Sequence, residues 1–534
     1  MGENILVRGV NWIGDAVMSM PSLRALKKAF PESSLSLLVK PSVAPVFEKN
    51  PDIYEIIFYE KEHKGFFGKI RLAYKLRRIG FSKAVLLQNA FDAALTAFLA
   101  GIPERIGYNR DGRGPLLTKA VPFNNEDRKI HHIDYFLNLV SALSPQPSAL
   151  SPHETRPWIF LSPDERMAAR QRLSALKRPV LGINPGAAYG PAKRWVPERF
   201  VEIANWFMRG TGGSVVVFGG KSEEGIAEQI CRHAERGRTE AIVDRHWAKG
   251  NDHYSELITP NSELLNLAGK TTLRELISLI SECDIFLSND SGPMHIAYAV
   301  GTPLVAIFGS TDPRLTGPAG EGSIVLNSGL SCSPCFERIC KENDLRCMYA
   351  ITTDDVYHAL KGLLPVKPAV FFDRDGTLCR DAHYLSDWKD FEIFPETESV
   401  KALKERGFSL IGVTNQSGIK KGIVDEGFVR DLNRVFIDRY GFDDFYYCAH
   451  DPEDHCSCRK PEPGMLLRAR TGHKIDLRRS YVVGDKEADM LLARAVGAKA
   501  ILVLTGQHKE SIYADCIVKD LKEAVDLILK ETEG

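Results

Sequence analysis

The chain has 534 residues, too many for one hydrophobic core, which predicts three domains of roughly 150–200 residues. Lys+Arg and Asp+Glu both total 69, so no polycationic field marks a nucleic-acid binder. No apolar run approaches the ~18–20 residues of a membrane-spanning helix, and residues 4–9 enter a strand without signal-peptide anatomy, which predicts a cytoplasmic protein.

The first third alternates strands (5–7, 34–39, 53–58 and 84–88) with helices, the first at 22–30. That βαβ rhythm specifies a parallel, doubly wound sheet. The turn Arg8-Gly9-Val10-Asn11-Trp12-Ile13-Gly14-Asp15 sets free backbone N–H groups and Asp15 at a ligand crevice, or merely caps the next helix. Between 61 and 78, seven lysines and arginines face the single Glu62, interleaved with Phe66, Phe67, Ile70, Leu72, Tyr74 and Leu76. Two readings fit: a helix laying its apolar side on the sheet, or a seat for anionic lipid headgroups or a polyanionic acceptor. A second basic loop, with Arg105, Arg110 and Arg113, is expected to form a crevice facing Asp15.

Pro145, Pro147, Pro152, Pro157 and Pro163 mark a boundary near 145–178, bridged by a helix around 164–176. A second doubly wound unit follows, with strands at 179–184, 213–218, 284–289 and 304–308 and a helix at 197–209. Residues 233–262 are polar and irregular, an expected surface insertion. Asp290-Ser291-Gly292-Pro293-Met294-His295 opens a helix whose N-terminus is an anion site, and Lys193 across the cleft suits it to a diphosphate.

Of eleven cysteines, seven lie at 332–347 and 448–458, which indicates metal or redox chemistry rather than a secreted disulfide framework. Cys332, Cys335, Cys340 and Cys347 are spaced for tetrahedral zinc, but reduced packing residues or a labile disulfide fit as well. Cys448, His450, Cys456 and Cys458 form two tight pairs suited to structural Zn²⁺, with unmetallated thiols as the alternative.

After a helix at 353–364 and a proline-bearing linker comes Ala369-Val370-Phe371-Phe372-Asp373-Arg374-Asp375-Gly376-Thr377. If the strand runs through Asp375, both carboxylates face one site, and their repulsion calls for a divalent cation or a shared proton. Three companions follow: a strand ending at Thr414 and Asn415, then Arg459-Lys460-Pro461, then a strand ending at Asp485. Together they specify phosphoryl transfer, and the short spacings leave no room for a large cap.

Residues 1 to about 365 resemble the heptosyltransferases of glycosyltransferase family 9. The matching stretches include RGVNWIGDAVMSMPSLRALK, GIPERIGY, NPGAAYGPAKRW, LAGKTTLRELISLI, SNDSGPMHIAYAVGTPLVAIFGSTDP and CSPCFERIC. The resemblance implies two facing Rossmann-like domains (GT-B type), an acceptor side at 1–170 and a nucleotide-sugar side at 171–365. It implies transfer of heptose from ADP-heptose to the lipopolysaccharide core with inversion and no required metal. Asp15 is then the general base and Lys193 neutralises the departing diphosphate. Asp290, Ser291, Gly292 and His295 hold the nucleotide-sugar.

Residues 366–534 resemble the haloacid dehalogenase phosphatases, in the histidinol-phosphate and heptose-bisphosphate branch. That likeness makes Asp373 the nucleophile, Asp375 the acid–base, Thr414 and Lys460 the phosphoryl clamps, and Asn415 and Arg459 substrate contacts. It implies Mg²⁺ on the Asp373 and Asp485 carboxylates and the Asp375 carbonyl, and zinc on the 448–458 set. Cys379 stands where this branch usually has Asn, and Lys421 where Arg is common. The fusion implies one pathway on one chain, with a sugar bisphosphate (D-glycero-D-manno-heptose 1,7-bisphosphate) as phosphatase substrate; peripheral contact with the inner membrane surface is a separate expectation, from the basic segment at 61–78. Histidinol phosphate, another sugar phosphate, or an inactive scaffold are the alternatives for the C-terminal part.

Overall fold

A computed structural model describes residues 3–143, 154–239, 264–320 and 322–532. Pro145, Pro147, Pro152 and residues 240–262 of the expected insertion lie outside the described residues. The insertion does not begin at 233, because the helix Glu224–Thr239 runs through that point.

The chain forms two compact units, Met1–Gly362 and Leu363–Gly534. The first contains two six-stranded sheets, and every strand pairing in them is parallel. One comprises β1 (Asn4–Arg8), β2 (Ser34–Val39), β3 (Glu55–Phe58), β4 (Lys83–Leu86), β5 (Glu104–Tyr108) and β6 (Lys119–Val121) in the order 3-2-1-4-5-6. The other comprises β7 (Val180–Asn184), β8 (Ser214–Val217), β9 (Leu264–Asn266), β10 (Ile285–Asn289), β11 (Leu304–Phe308) and β12 (Ser323–Asn327) in the order 12-11-10-7-8-9. The second unit has β13 (Ala369–Phe372), β14 (Ser409–Asn415), β15 (Asp444–Cys448), β16 (Tyr481–Gly484), β17 (Lys499–Val503) and β18 (Cys516–Val518), again all parallel, in the order 15-14-13-16-17-18.

The central strands are apolar on both faces, as a sheet covered on both sides by helices requires: all five residues of β10 and of β11 are buried. In each sheet the strand order reverses once, between β1 and β4, β7 and β10, and β13 and β16. Crossovers leave such a point in opposite directions, so a crevice opens there at the carboxyl ends of the strands. The loops after β1, β7, β10, β13 and β16 therefore carry the candidate chemistry.

Four further expectations change. The helix expected from residue 22 is two helices, Ile13–Met18 and Met20–Ala29, since Pro21 has no N–H with which to continue the first. β13 stops at Phe372, so a turn with Gly376 at φ +95°, not the strand, sets the directions of Asp373 and Asp375. The basic segment is a helix, Gly65–Ile79, that buries only Leu72, Ala73 and Leu76 and leaves Phe66, Phe67, Ile70 and Tyr74 in solvent.

Arg113, expected in an acceptor crevice, is wholly buried. Its guanidinium donates to Tyr108 O at 2.9 Å, to Asn89 Oδ1 at 3.1 Å and to Gln88 O, tying β5 to the loop after β4. Burial lowers its pKa to about 10, which still leaves it charged near neutral pH. It is a clamp on backbone carbonyls. Arg113→Met is expected to destabilise the first unit by roughly 1–3 kcal/mol per stranded carbonyl. Arg110→Met, at a guanidinium lying 4.6 Å from the Phe123 ring centroid, should stay within about 0.5 kcal/mol of the parent. Urea unfolding of the two variants checks both.

Candidate active sites

At the carboxyl edge of the third sheet, Asp373, Asp485 and Asp489 bring carboxylate oxygens within 4.8 Å of one another, all buried. Lys460 Nζ lies 2.8 Å from Asp373 Oδ1 and 2.6 Å from Asp489 Oδ1, and donates to Val413 O at 3.1 Å. Burial opposes ionisation of Asp373, but Lys460 and then Lys486 outweigh it and hold this carboxyl below its usual range. Asp485 goes the other way: burial, then the Asp373 charge, push it up to about 7. Neighbouring glycines make room for Asp485. A Cβ at Gly376 would meet its Oδ2 at 2.5 Å, and one at Gly506 would collide with the same oxygen.

Asp485 Oδ1 is buried without a hydrogen-bond partner, and Lys486 Nζ stands 4.0 Å away. Three crowded carboxylates with an orphaned oxygen are hard oxygen donors that fit a small divalent cation such as Mg²⁺. The Asp375 carboxylate is not in this group. Arg374, itself fully buried, grips it with two bonds of 3.0 Å, and Gln416 donates to its Oδ2 at 2.7 Å. Thr414 Oγ1 lies 3.5 Å from that oxygen, and Cys379 Sγ lies 3.7 Å from Oδ1.

Two expected substrate contacts are committed within the chain. The Asn415 side chain accepts from Lys460 N at 3.1 Å and donates to Lys460 O at 3.3 Å, fixing the backbone that carries the lysine. Arg459 donates to His450 O at 2.9 Å. Lys421 Nζ donates to Tyr384 Oη at 2.8 Å and pairs with Asp451 at 3.5 Å. Immediately before Arg459, the sulfurs of Cys448, Cys456 and Cys458 and Nδ1 of His450 converge with separations of 3.4–3.5 Å. For zinc–sulfur bonds of about 2.3 Å a tetrahedron has edges near 3.8 Å, so the donor set fits zinc with little adjustment.

In the first unit the helices Ile13–Met18 and Gly292–Ala299 bring the two sheets' loops together. A Cβ at Gly292 would meet Ile13 at 3.1 Å, and one at Gly14 would meet the His295 ring at 2.7 Å, so small residues permit the approach. Asp15 lies in the first turn of its helix, and His132 Nδ1 stands 3.6 Å from its Oδ1. Lys193 Nζ pairs with Asp290 Oδ2 at 2.5 Å, and Thr311 Oγ1 donates to the same oxygen at 2.5 Å. Asp290 thus anchors the lysine. Ser291 Oγ lies 3.2 Å from Asn184 Nδ2. Asn184 Oδ1 at the end of β7, Arg194 Nε in the connection that follows it and Ser310 Oγ just beyond β11 are buried without partners.

Sequence reasoning did not assign Asp489, His132, Arg374 or Thr311. Asp489 had a signal, an acid four residues after Asp485, but it also caps the helix Glu487–Val496 by accepting from Lys486 N at 3.1 Å. His132 is separated from Asp15 by five of the first sheet's six strands, and no local pattern links them.

These two sites define two enzymes on one chain: a GT-B-type glycosyltransferase and a phosphatase of the haloacid dehalogenase type. Residues 69–244 and 246–346 match the model of glycosyltransferase family 9 (heptosyltransferase), and residues 457–524 match a HAD-hydrolase-like model. The chain belongs to glycosyltransferase family 9, with a haloacid dehalogenase-type phosphatase fused behind the transferase. Lipopolysaccharide heptosyltransferase 2 of Salmonella typhimurium strain LT2 is 30% identical over 331 residues, 60% of this chain and 87% of that protein. D-glycero-beta-D-manno-heptose-1,7-bisphosphate 7-phosphatase of Helicobacter pylori strain J99 is 38% identical over 176 residues, 31% of this chain and 99% of that protein. The solved structure of Escherichia coli ADP-heptose lps heptosyltransferase II aligns with a TM-score of 0.53 at 26% identity, covering 67% of this chain and 97% of that one.

His295 provides a pH test of the transferase cleft. Burial lowers its pKa to about 4, against the opposing pull of Asp290 and Asp15, so the folded ring is neutral. As pH falls below the ordinary histidine value the unfolded chain takes up a proton that the folded chain refuses, so stability declines toward pH 4. Between pH 7 and pH 5 this one residue should cost about 2 kcal/mol. Urea titrations of the first unit's transition should show that loss in the parent and not in His295→Gln.

Proposed function

We propose that the first unit transfers heptose from ADP-heptose to a lipopolysaccharide core acceptor with inversion, and that the second releases a terminal phosphate from heptose 1,7-bisphosphate. The observation that carries the phosphatase reading is Lys460 bridging Asp373 and Asp489 inside a buried acid cluster. Held ionised, Asp373 attacks phosphorus to form an aspartyl-phosphate while the sugar oxygen leaves. Asp375, entering the reaction protonated, gives its proton to that oxygen and then takes one from the water that attacks phosphorus, as the bond to Asp373 breaks and phosphate is freed; this requires one of its oxygens to turn from Arg374 or Gln416. Lys460 stays in place to neutralise phosphoryl charge, with Asp489 keeping it there. Mg²⁺ bound by the Asp373 and Asp485 carboxylates and the Asp375 carbonyl would supply further charge screening. Zinc on Cys448, His450, Cys456 and Cys458 would hold rigid the loop that presents Arg459 and Lys460.

For the transferase, the close approach of Asp15, His295 and the Lys193–Asp290 pair supports direct displacement. Asp15 takes the acceptor hydroxyl proton as that oxygen attacks the anomeric carbon. Lys193 and the N–H groups opening the helix Gly292–Ala299 stabilise the departing diphosphate. Reciprocal variants test the pairing. Asp373→Asn should abolish phosphate release and spare glycosyl transfer, whereas Asp15→Ala should lower transfer turnover roughly 10²–10⁴-fold and spare phosphate release. Loss of both activities in either folded variant contradicts the assignment of one reaction to each unit.

The helix Gly65–Ile79 supports contact with the cytoplasmic face of an anionic membrane. Phe67, Ile70 and Tyr74 are exposed on the side that also carries Arg71, Lys75 and Arg78. In flotation assays the chain should bind phosphatidylglycerol vesicles and not phosphatidylcholine vesicles. Arg71→Gln with Arg78→Gln should weaken that partition by roughly thirtyfold, at about 1 kcal/mol per basic residue. Equal recovery on both lipids would remove the membrane reading.

A further inference from the structure

Four cysteines are used by neither reaction. Cys332, Cys335, Cys340 and Cys347 are all free thiols. They lie on and just beyond the segment 328–345, which contains no helix or strand. Of its large apolar residues, Phe336 and Ile339 are 49% and 69% exposed, and Leu330 and Leu345 are only partly buried. A stretch of that length with so little apolar burial needs another source of order to offset its conformational entropy.

The segment is nonetheless attached to the donor side of the cleft. Tyr189 Oη donates to Phe336 O at 2.7 Å and Ala192 N donates to Arg338 O at 3.1 Å. Ser333 Oγ donates to Gly309 O at 2.6 Å, and Phe336 N donates to Ser310 O at 2.6 Å. These partners flank Lys193 on one side and Thr311 on the other. A Cβ at Gly190 would collide with Arg338 O, so the loop and the Lys193 segment lie in close contact.

The sulfurs have the surroundings of ligands. Backbone N–H groups of Leu345, Asp344, Glu342 and Asn343 face the Cys340 sulfur, and left-handed backbone at Asn343 and Leu345 tightens that turn. Cys347 is buried, and the thiols of Cys332, Cys335 and Cys340 lie in its neighbourhood.

We propose that Cys332, Cys335, Cys340 and Cys347 form a second metal site, one thiophilic divalent ion of the zinc class held by four thiolates, which clips this loop behind the donor pocket. Unlike the 448–458 set, these sulfurs are not already gathered within 4.8 Å of one another, so binding draws the exposed Cys332 and Cys335 onto Cys340 and Cys347. Each ligating thiol releases its proton to solvent, so uptake weakens as pH falls. The four-sulfur donor set selects a soft or borderline ion over magnesium or calcium. The link to the donor pocket rests on the role proposed above for Lys193; the metal site itself does not.

The test uses the full chain, stripped by chelator under reducing conditions, reloaded with Zn²⁺ alone and desalted. The parent should retain about two equivalents, and Cys335→Ser/Cys340→Ser and Cys448→Ser/Cys456→Ser about one each. Reloading the latter variant with Co²⁺ should give the intense charge-transfer absorption of a thiolate centre. Should Cys335→Ser/Cys340→Ser fail to fold, Cys332→Ser at an exposed position replaces it, with zinc lost to a competing chelator at least about tenfold more readily than from the parent. Zinc retention by either upstream variant equal to the parent's overturns the proposal. So does a folded Cys448→Ser/Cys456→Ser chain that holds no zinc, or upstream thiols that pair as disulfides and bind no metal when reduced. If the clip supports the donor pocket, Cys332→Ser also raises KM for the nucleotide-sugar more than it lowers kcat. A normal KM with altered zinc content would fault the link to the donor pocket and leave the metal site standing.

Discussion

The second unit depends on one cation. Lys460 is buried between Asp373 and Asp489, and both acids are buried with it. Burial lowers a lysine's pKa, yet the two carboxylates outweigh that and raise it, so the ammonium is fixed as a charge. Removing it would leave two anions beside a third in a dry site, a larger penalty than the pair itself is worth. The surrounding structure supports that charge: Asn415 grips the lysine's peptide, Val413 O accepts from its Nζ, and glycines at 376, 484 and 506 stand where a Cβ would strike Asp485 or Asp489.

The first unit applies the same economy of charge differently. Its lysine, Lys193, is held by Asp290 and the Asp290 carboxylate by Thr311, so a single acid orients the cation across the cleft from Asp15. His295, neutral and buried, lies near both Asp15 and Asp290 without adding a charge of its own. The buried and unpaired Asn184 Oδ1, Arg194 Nε and Ser310 Oγ are polar groups that folding alone leaves unsatisfied, which is common where a ligand completes the bonding.

Both units use the same topological device. Reversal of strand order beside the first strand of each sheet leaves the loops at that edge free of crossovers, and every candidate catalytic group except Thr414 and Lys460 lies in or next to a loop of that kind. Lys460 arrives from the connection after β15, which explains why Asn415 and the Cys448–Cys458 region must hold that connection in place.

The sequence by itself determined the parallel strands, because strands covered on both faces must be continuous apolar runs bounded by glycine and polar turns; the stretches 34–39 and 304–308 are β2 and β11 to the residue. It determined the motif loops too, since two aspartates, a glycine and a distant lysine and acid can be read in order. Only the tertiary structure decided what those groups touch. It placed Arg113 inside as a clamp, left Phe66 and Phe67 outside, turned Asp375 onto Arg374, and brought Asp489 to Lys460 and His132 to Asp15. The physical reason is range. Strand and helix patterns are set by neighbours within a few residues, whereas charge pairing and burial depend on side chains that meet only after the sheets have formed.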